Sequence, residues 1–161
     1  MTPLLPGIIV NRPIRCQNPF SIDFHPGPLF AWDGLVAMRT DSRLAEFEEA
    51  KFGIRAGVIE VFRYLTPINQ GGHGLNTIEK FVSAYAPNDD PKAHNDEDSY
   101  CSALEKHLGV TRKTSLSVGI FLVPMVMGVS REETGYELDK IWGADELLAG
   151  ISLGKQHCGI A

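Results

Sequence analysis

The chain has 161 residues, 43% of them hydrophobic and 22% charged, the make-up of one ordinary globular domain that can bury a core without disulfide or metal staples. Its formal net charge is -5 and its longest basic run is the pair Arg112-Lys113, which argues against a nucleic-acid binder. The longest nearly apolar run, Gly119 to Val129, is too short for a bilayer and carries Pro124, so no membrane span is expected.

The first sixteen residues, MTPLLPGIIVNRPIRC, lack a basic segment before their apolar residues and are broken by prolines, a poor secretory signal. Six of the ten prolines fall in residues 1–34, so this third should be irregular or weakly stranded. Helical signals begin afterwards. Ile54, Val58, Val61, Phe62 and Leu65 make an amphipathic stripe, which Thr66-Pro67 ends before the loop NQGGHG. A second helix opens on Asn76, with Glu79 completing a capping box, and carries Ile78, Phe81, Val82 and Tyr85 on one face. A third opens on Asn95 with the acidic turn Asp96, Glu97 and Asp98, and runs through Tyr100, Leu104 and Leu108 to Gly109. A fourth is expected over residues 119–133, with Pro124 in its first turn or kinking it, and a short fifth within ADELLAGISL. The expected fold is mainly α, with about five helices. Residues 1–13 read as an extended arm, 14–153 as one domain and 154–161 as a loose tail.

The chemistry-bearing motifs are few. Cys16, Cys101 and Cys158 are widely spaced, so reduced thiols are expected rather than a disulfide framework or a zinc site. Asn88, Asp89, Asp90 and the segment HNDEDS offer oxygen ligands but lack the spacing of a calcium loop. The five histidines form no ligand pair of the H-E-x-x-H kind. Neither a metal nor a cofactor is therefore expected. The fourth helix is different. Leu122, Val126, Val129 and Glu133 share one face, while Phe121, Met125, Gly128 and Glu132 share the next. Both faces are apolar, so periodicity does not choose between the two glutamates. A carboxyl at this helix end meets the negative end of the dipole and partial burial, and both would help it keep a proton as a general acid must. The ordinary alternative is a solvated carboxylate paired with Arg131 or Lys140.

Five stretches occur together in a telling order: QNPFSI (17–22), WDG (32–34), FEEAKFGIRAG (47–57), the series Thr77-Ile78, Tyr85-Ala86-Pro87, Asn95-Asp96, Tyr100, Gly109-Val110, and Glu133-Thr134-Gly135. This series resembles a family of small phage and prophage virion structural proteins with a lysozyme-like domain, related to lytic transglycosylases. The resemblance spans about residues 14–153. It departs from the family pattern where Gln17 replaces an asparagine and Phe20-Ser21 replaces Gly-Asn.

The resemblance implies a lysozyme-like α+β fold in circularly permuted order, with Glu133 facing the Asn18 loop across a groove. It implies a virion-associated protein that degrades peptidoglycan during cell-wall penetration, as a lytic transglycosylase or muramidase. Glu133 would be the acid and Glu48 the second carboxylate, whose ordinary alternative is a surface residue of an acidic stretch. Gln17 and Asn18 would bind sugar hydroxyls and N-acetyl groups, or else simply build the turn before Pro19. Tyr85 would stack on a sugar, or else belong to the core. The implied partners are peptidoglycan glycan strands and other virion proteins. The protein would be made in the host cytoplasm, carried in the virion, and active in the periplasm or wall. The alternative function is a non-catalytic minor capsid, tail or decoration component on the same fold.

Overall fold

The structure, a computed structural model, describes residues 1–26, 32–91 and 95–161. It is mainly helical. The helices among the described residues are α1 (Arg12–Arg15), α2 (Ala50–Leu65), α3 (Ile78–Tyr85), α4 (Glu97–Leu108), α5 (Val118–Thr134), α6 (Leu138–Trp142) and α7 (Ala144–His157). The one-turn helices α1 and α6 escape a reading by periodicity, which needs at least two turns of pattern. The chain divides into two compact units, residues 1–59 with 129–161, and residues 60–128.

Among the described residues of the first unit, extended backbone pairs only in isolated antiparallel bridges, between Asp23 and Leu44 and between Leu35 and Phe47. Residues 43–48 run between two flanking segments. Phe24 and Arg43, and Ala45 and Ile22, bond on one side; Val36 and Glu46, and Glu48 and Gly34, bond on the other. Ala45, Phe47 and Ala56 form a core cluster under this layer, joined by Ile22, Phe24, Trp32, Leu35 and Phe52.

The first half of α2 is the post on which this unit is built. Gly53 and Gly57 lie one turn apart and carry the 17–20 turn. A Cβ on Gly53 would stand 1.8 Å from the Gln17 carbonyl oxygen, and one on Gly57 would stand 2.0 Å from the Phe20 ring. The neighbouring face of α2 presents Ile54 and Val58 to Gly150 and Gly154 of α7, where an added Cβ would stand 2.5 Å from each partner. Glycine lowers helix propensity, and here the loss is exchanged for close approach on two faces. This packing also explains why α7 continues past Leu153 to His157: Gly154 sits on Val58 and is buried. The first two N–H groups of α2 are capped from distant sequence. Ala50 N–H donates to the Thr2 hydroxyl and Lys51 N–H to Glu146 Oε2, each at 2.9 Å, satisfying two of the donors a helix start leaves open. The N-terminal segment is further tied down by Leu5 N–H on the Ile141 carbonyl and Ile9 N–H on the Tyr136 hydroxyl.

In the second unit the carbonyls at the end of α2 are taken up by the loop that follows. His73 N–H donates to Arg63 O and Leu75 N–H to Tyr64 O, while Thr66 Oγ1 donates to Phe62 O at 2.7 Å. α3 is capped by Thr77, whose hydroxyl accepts from Lys80 N–H, one residue later than the expected Asn76. Asn76 turns outward, its amide donating to Ser115 Oγ. α4 is capped by Asp96, and Asn95 donates to Pro87 O. Asn88 and Glu97 exchange bonds, each backbone N–H meeting the other's side-chain oxygen at 2.8 Å. Pro124 stands inside α5. The carbonyl four residues back belongs to Ile120, which is 71% exposed, so water can replace the missing N–H.

Candidate functional site

Burial separates the two glutamates that periodicity does not. Glu133 in the last turn of α5 is half-buried, while Glu132 is exposed. Val126, Val129 and Ser130, three to seven positions before Glu133, are fully buried, so the buried face of the helix ends on that residue. Arg131 pairs with Glu137 at 2.9 Å and Lys140 with Asp139 at 3.2 Å.

The end of the helix is held firmly. Gly135 N–H donates to Arg131 O at 2.7 Å. The buried Thr134 donates its hydroxyl to Ser130 O at 2.7 Å, and Thr134 Oγ1 accepts in turn from Tyr136 N–H. The Asn11 amide then donates to Thr134 O at 2.8 Å. Asn11 also caps α1, its Oδ1 accepting from Ile14 N–H. One residue therefore joins the end of α5 to the short helix that leads into the 16–21 turn. The sequence signal for Asn11 was present, since Asn followed by Pro two positions on is a helix start, but a four-residue helix is too short to stand out.

The 16–21 turn is strained and saturated. Gln17 and Ser21 both sit at φ of 50°, left-handed backbone that non-glycine residues adopt rarely. Gln17 is 2% exposed and Asn18 is fully buried. The Gln17 amide donates to the Phe47 and Glu48 carbonyls, both at 2.8 Å, and its oxygen accepts from Thr2 N–H at 2.7 Å. The Asn18 amide donates to Ile22 O and Ala45 O, and its oxygen accepts from Ile22 N–H. These side chains splice the turn to residues 45–48. Their side-chain polar atoms have partners within the chain.

Glu48 is exposed. Its backbone is fixed by Gly34 O and by Gln17, and its carboxylate makes no hydrogen bond or ion pair with the described residues. Tyr85 lies in the second unit, half-buried, stacked on Phe81 at 5.0 Å and edge-on to Tyr64 at 5.9 Å. Its ring is part of an aromatic cluster, with one face covered.

A carboxylate cluster that the sequence did not reveal lies beside the turn. Asp41, 3% exposed in its side chain, accepts from Arg12 Nε and Nη2, Arg15 Nη2, and the backbone N–H of Arg43 and Leu44, all within 2.9 Å. The Arg12 guanidinium, with these further donors, holds the Asp41 carboxyl far below the usual carboxylate range despite burial. Burial pushes its neighbour Glu46 up, but hydrogen bonds from Thr40 and Asp41, with Arg15 nearby, outweigh it and leave that group low as well. Burial pushes the Cys16 and Cys158 thiols up to about 11, which removes both from thiolate chemistry near neutrality. Nothing in this cluster is poised to exchange a proton; it is a scaffold.

Among the described residues no three His, Cys, Asp or Glu are grouped to hold a metal ion, and no helix is long and apolar enough to cross a membrane. Compared with known proteins, the chain matches no family model and no curated sequence.

Proposed function

We propose that the chain is a virion-associated enzyme that cleaves peptidoglycan glycan strands during cell-wall penetration, with Glu133 as the acid that protonates the glycosidic oxygen. The observation that carries this reading is the contrast at the end of α5: Glu133 half-buried beside an exposed Glu132, on a helix end pinned by Asn11, Thr134 and Gly135. A general acid needs a fixed position and an environment that disfavours its charge. Further support comes from the order of the motifs from QNPFSI to Glu133-Thr134-Gly135, which resembles that of the lysozyme-like virion family.

The test is mass spectrometry of muropeptides released from purified peptidoglycan by the native protein and by Glu133→Gln. Cleavage that disappears in the isosteric variant is the expected result. Cleavage that survives moves the acid to another residue, and no cleavage by well-folded native protein refutes the enzymatic reading.

The second reading, a non-catalytic virion component, is favoured by one observation. Leu4, Leu5, Ile9 and Val10 are exposed, Ile9 at 76%, in a segment whose backbone is already tied down, and solvent-facing apolar residues of this kind suit a contact with another virion protein.

A further inference from the structure

We infer that Asn11 is a positioning residue for Glu133, an inference that rests on the reading of Glu133 as the acid. Three observations support it. The Asn11 amide is a side-chain donor from outside α5 to the last turn of that helix, meeting Thr134 O at 2.8 Å, on the carbonyl of the residue that follows Glu133. Its other atom, Oδ1, accepts from Ile14 N–H, so the side chain cannot swing away from Thr134 without uncapping α1. α1 in turn feeds the strained turn in which Gln17 and Asn18 are locked to residues 45–48. The last turn of α5 is thereby referenced to the bridged layer through the Asn11 amide.

Helix ends fray where their carbonyls lack partners, and a general acid loses rate steeply when it moves by a fraction of an ångström to an ångström. The Asn11 bond suppresses that fraying at the turn where it matters.

Two substitutions separate this role from the cap on α1, because Ser and Asp are both good N-cap residues. Asn11→Ser keeps the cap and removes the donor to Thr134 O. Asn11→Asp keeps the cap and sets a negative charge against that carbonyl, on the residue next to Glu133. The measurements are kcat and KM on soluble glycan strands, and the titration of the Glu133 carboxyl by carbon-13 NMR in the full chain, assigned with Glu133→Gln. Asn11→Ser is expected to lower kcat roughly tenfold with KM nearly unchanged, the loss of about one hydrogen bond's worth of transition-state positioning. Asn11→Asp is expected to raise the Glu133 titration midpoint and the matching limb of the pH–rate profile by roughly half a unit, since a like charge nearby favours the protonated acid.

If both variants keep the native kcat and the native titration, the inference is overturned and Asn11 is a cap on α1 only. If the native protein cleaves nothing, the proposed function fails. The positioning role then fails with it, and the titration separates the two failures: a midpoint that moves in Asn11→Asp shows that Asn11 is coupled to Glu133 without a reaction to serve, and one that stays refutes the coupling itself.

Discussion

Asp41→Asn tests whether the buried carboxylate cluster holds the first unit together. Asp41 accepts five N–H bonds, three of them from guanidinium groups. The amide keeps one oxygen and turns an NH2 toward donors, so at least one charge-assisted bond is lost and one donor pair is opposed. Arg12 and Arg15 are 45% and 46% exposed in their side chains, so both can rehydrate, which limits the loss. The full penalty for cutting a buried pair is about 3–5 kcal/mol. Allowing for that rehydration, the expected loss is about 3 kcal/mol at pH 7, or a fall in Tm of roughly 6–12 °C for a chain of this length.

The pH dependence gives a second, sharper check. Asp41 has a folded-state pKa far below its ordinary value, so its contribution is fully present above the unfolded value, near 3.9, and is lost as pH falls below it. Linkage puts the loss at about 1.3 kcal/mol by pH 3. Urea denaturation of both proteins should therefore show a constant gap between pH 7 and 5.5 that narrows by about that amount at pH 3. A gap under about 0.5 kcal/mol at pH 7, or one that does not narrow in acid, would refute the argument.

Two further substitutions probe helices that the sequence reading placed correctly but whose interiors it did not explain. Gly53→Ala should destabilise by about 2–3 kcal/mol in the same denaturation assay, because its Cβ would stand 1.8 Å from the Gln17 carbonyl, which is backbone and cannot swing aside. Pro124→Ala should stabilise α5 by about 1–2 kcal/mol, since it restores an N–H to the Ile120 carbonyl and removes the ring; a loss of stability there would mean that Pro124 shapes the helix in a way its surroundings need.

The helices with two or more turns of apolar pattern were legible in the sequence, and so was the poverty of strand among the described residues of the N-terminal third. Their caps were legible only to within a residue: Thr77 took the place given to Asn76, because Asn76 is recruited by Ser115 and Leu116. What could not be read was every feature assembled from distant sequence. The caps of α2 come from Thr2 and Glu146. The glycine pair in α2 receives the 17–20 turn, and the pair in α7 receives Ile54 and Val58. Arg12 and Asp41 meet across 29 residues. The ambiguity between Glu132 and Glu133 was of the same kind. A helix apolar on two faces has no pattern left with which to rank its ends, and only burial by the rest of the fold does so.

Gln17 and Asn18 carry a consequence for the proposed reaction. Their side chains are committed to Phe47, Glu48, Ala45 and Ile22, so if Glu133 acts on a glycan, sugar recognition must come from groups with free polar atoms. Among the described residues nothing bonds or orients the Glu48 carboxylate, and a nucleophile or base is normally held by its neighbours. An inverting hydrolase needs a second carboxylate that positions a water, and a retaining one needs a carboxylate that attacks the sugar. A single oriented acid suits instead a reaction in which a hydroxyl of the substrate closes on its own anomeric carbon. The released muropeptides should then carry anhydro ends. Reducing ends in their place would require a second oriented carboxylate, and Glu48→Gln would show whether that group is Glu48.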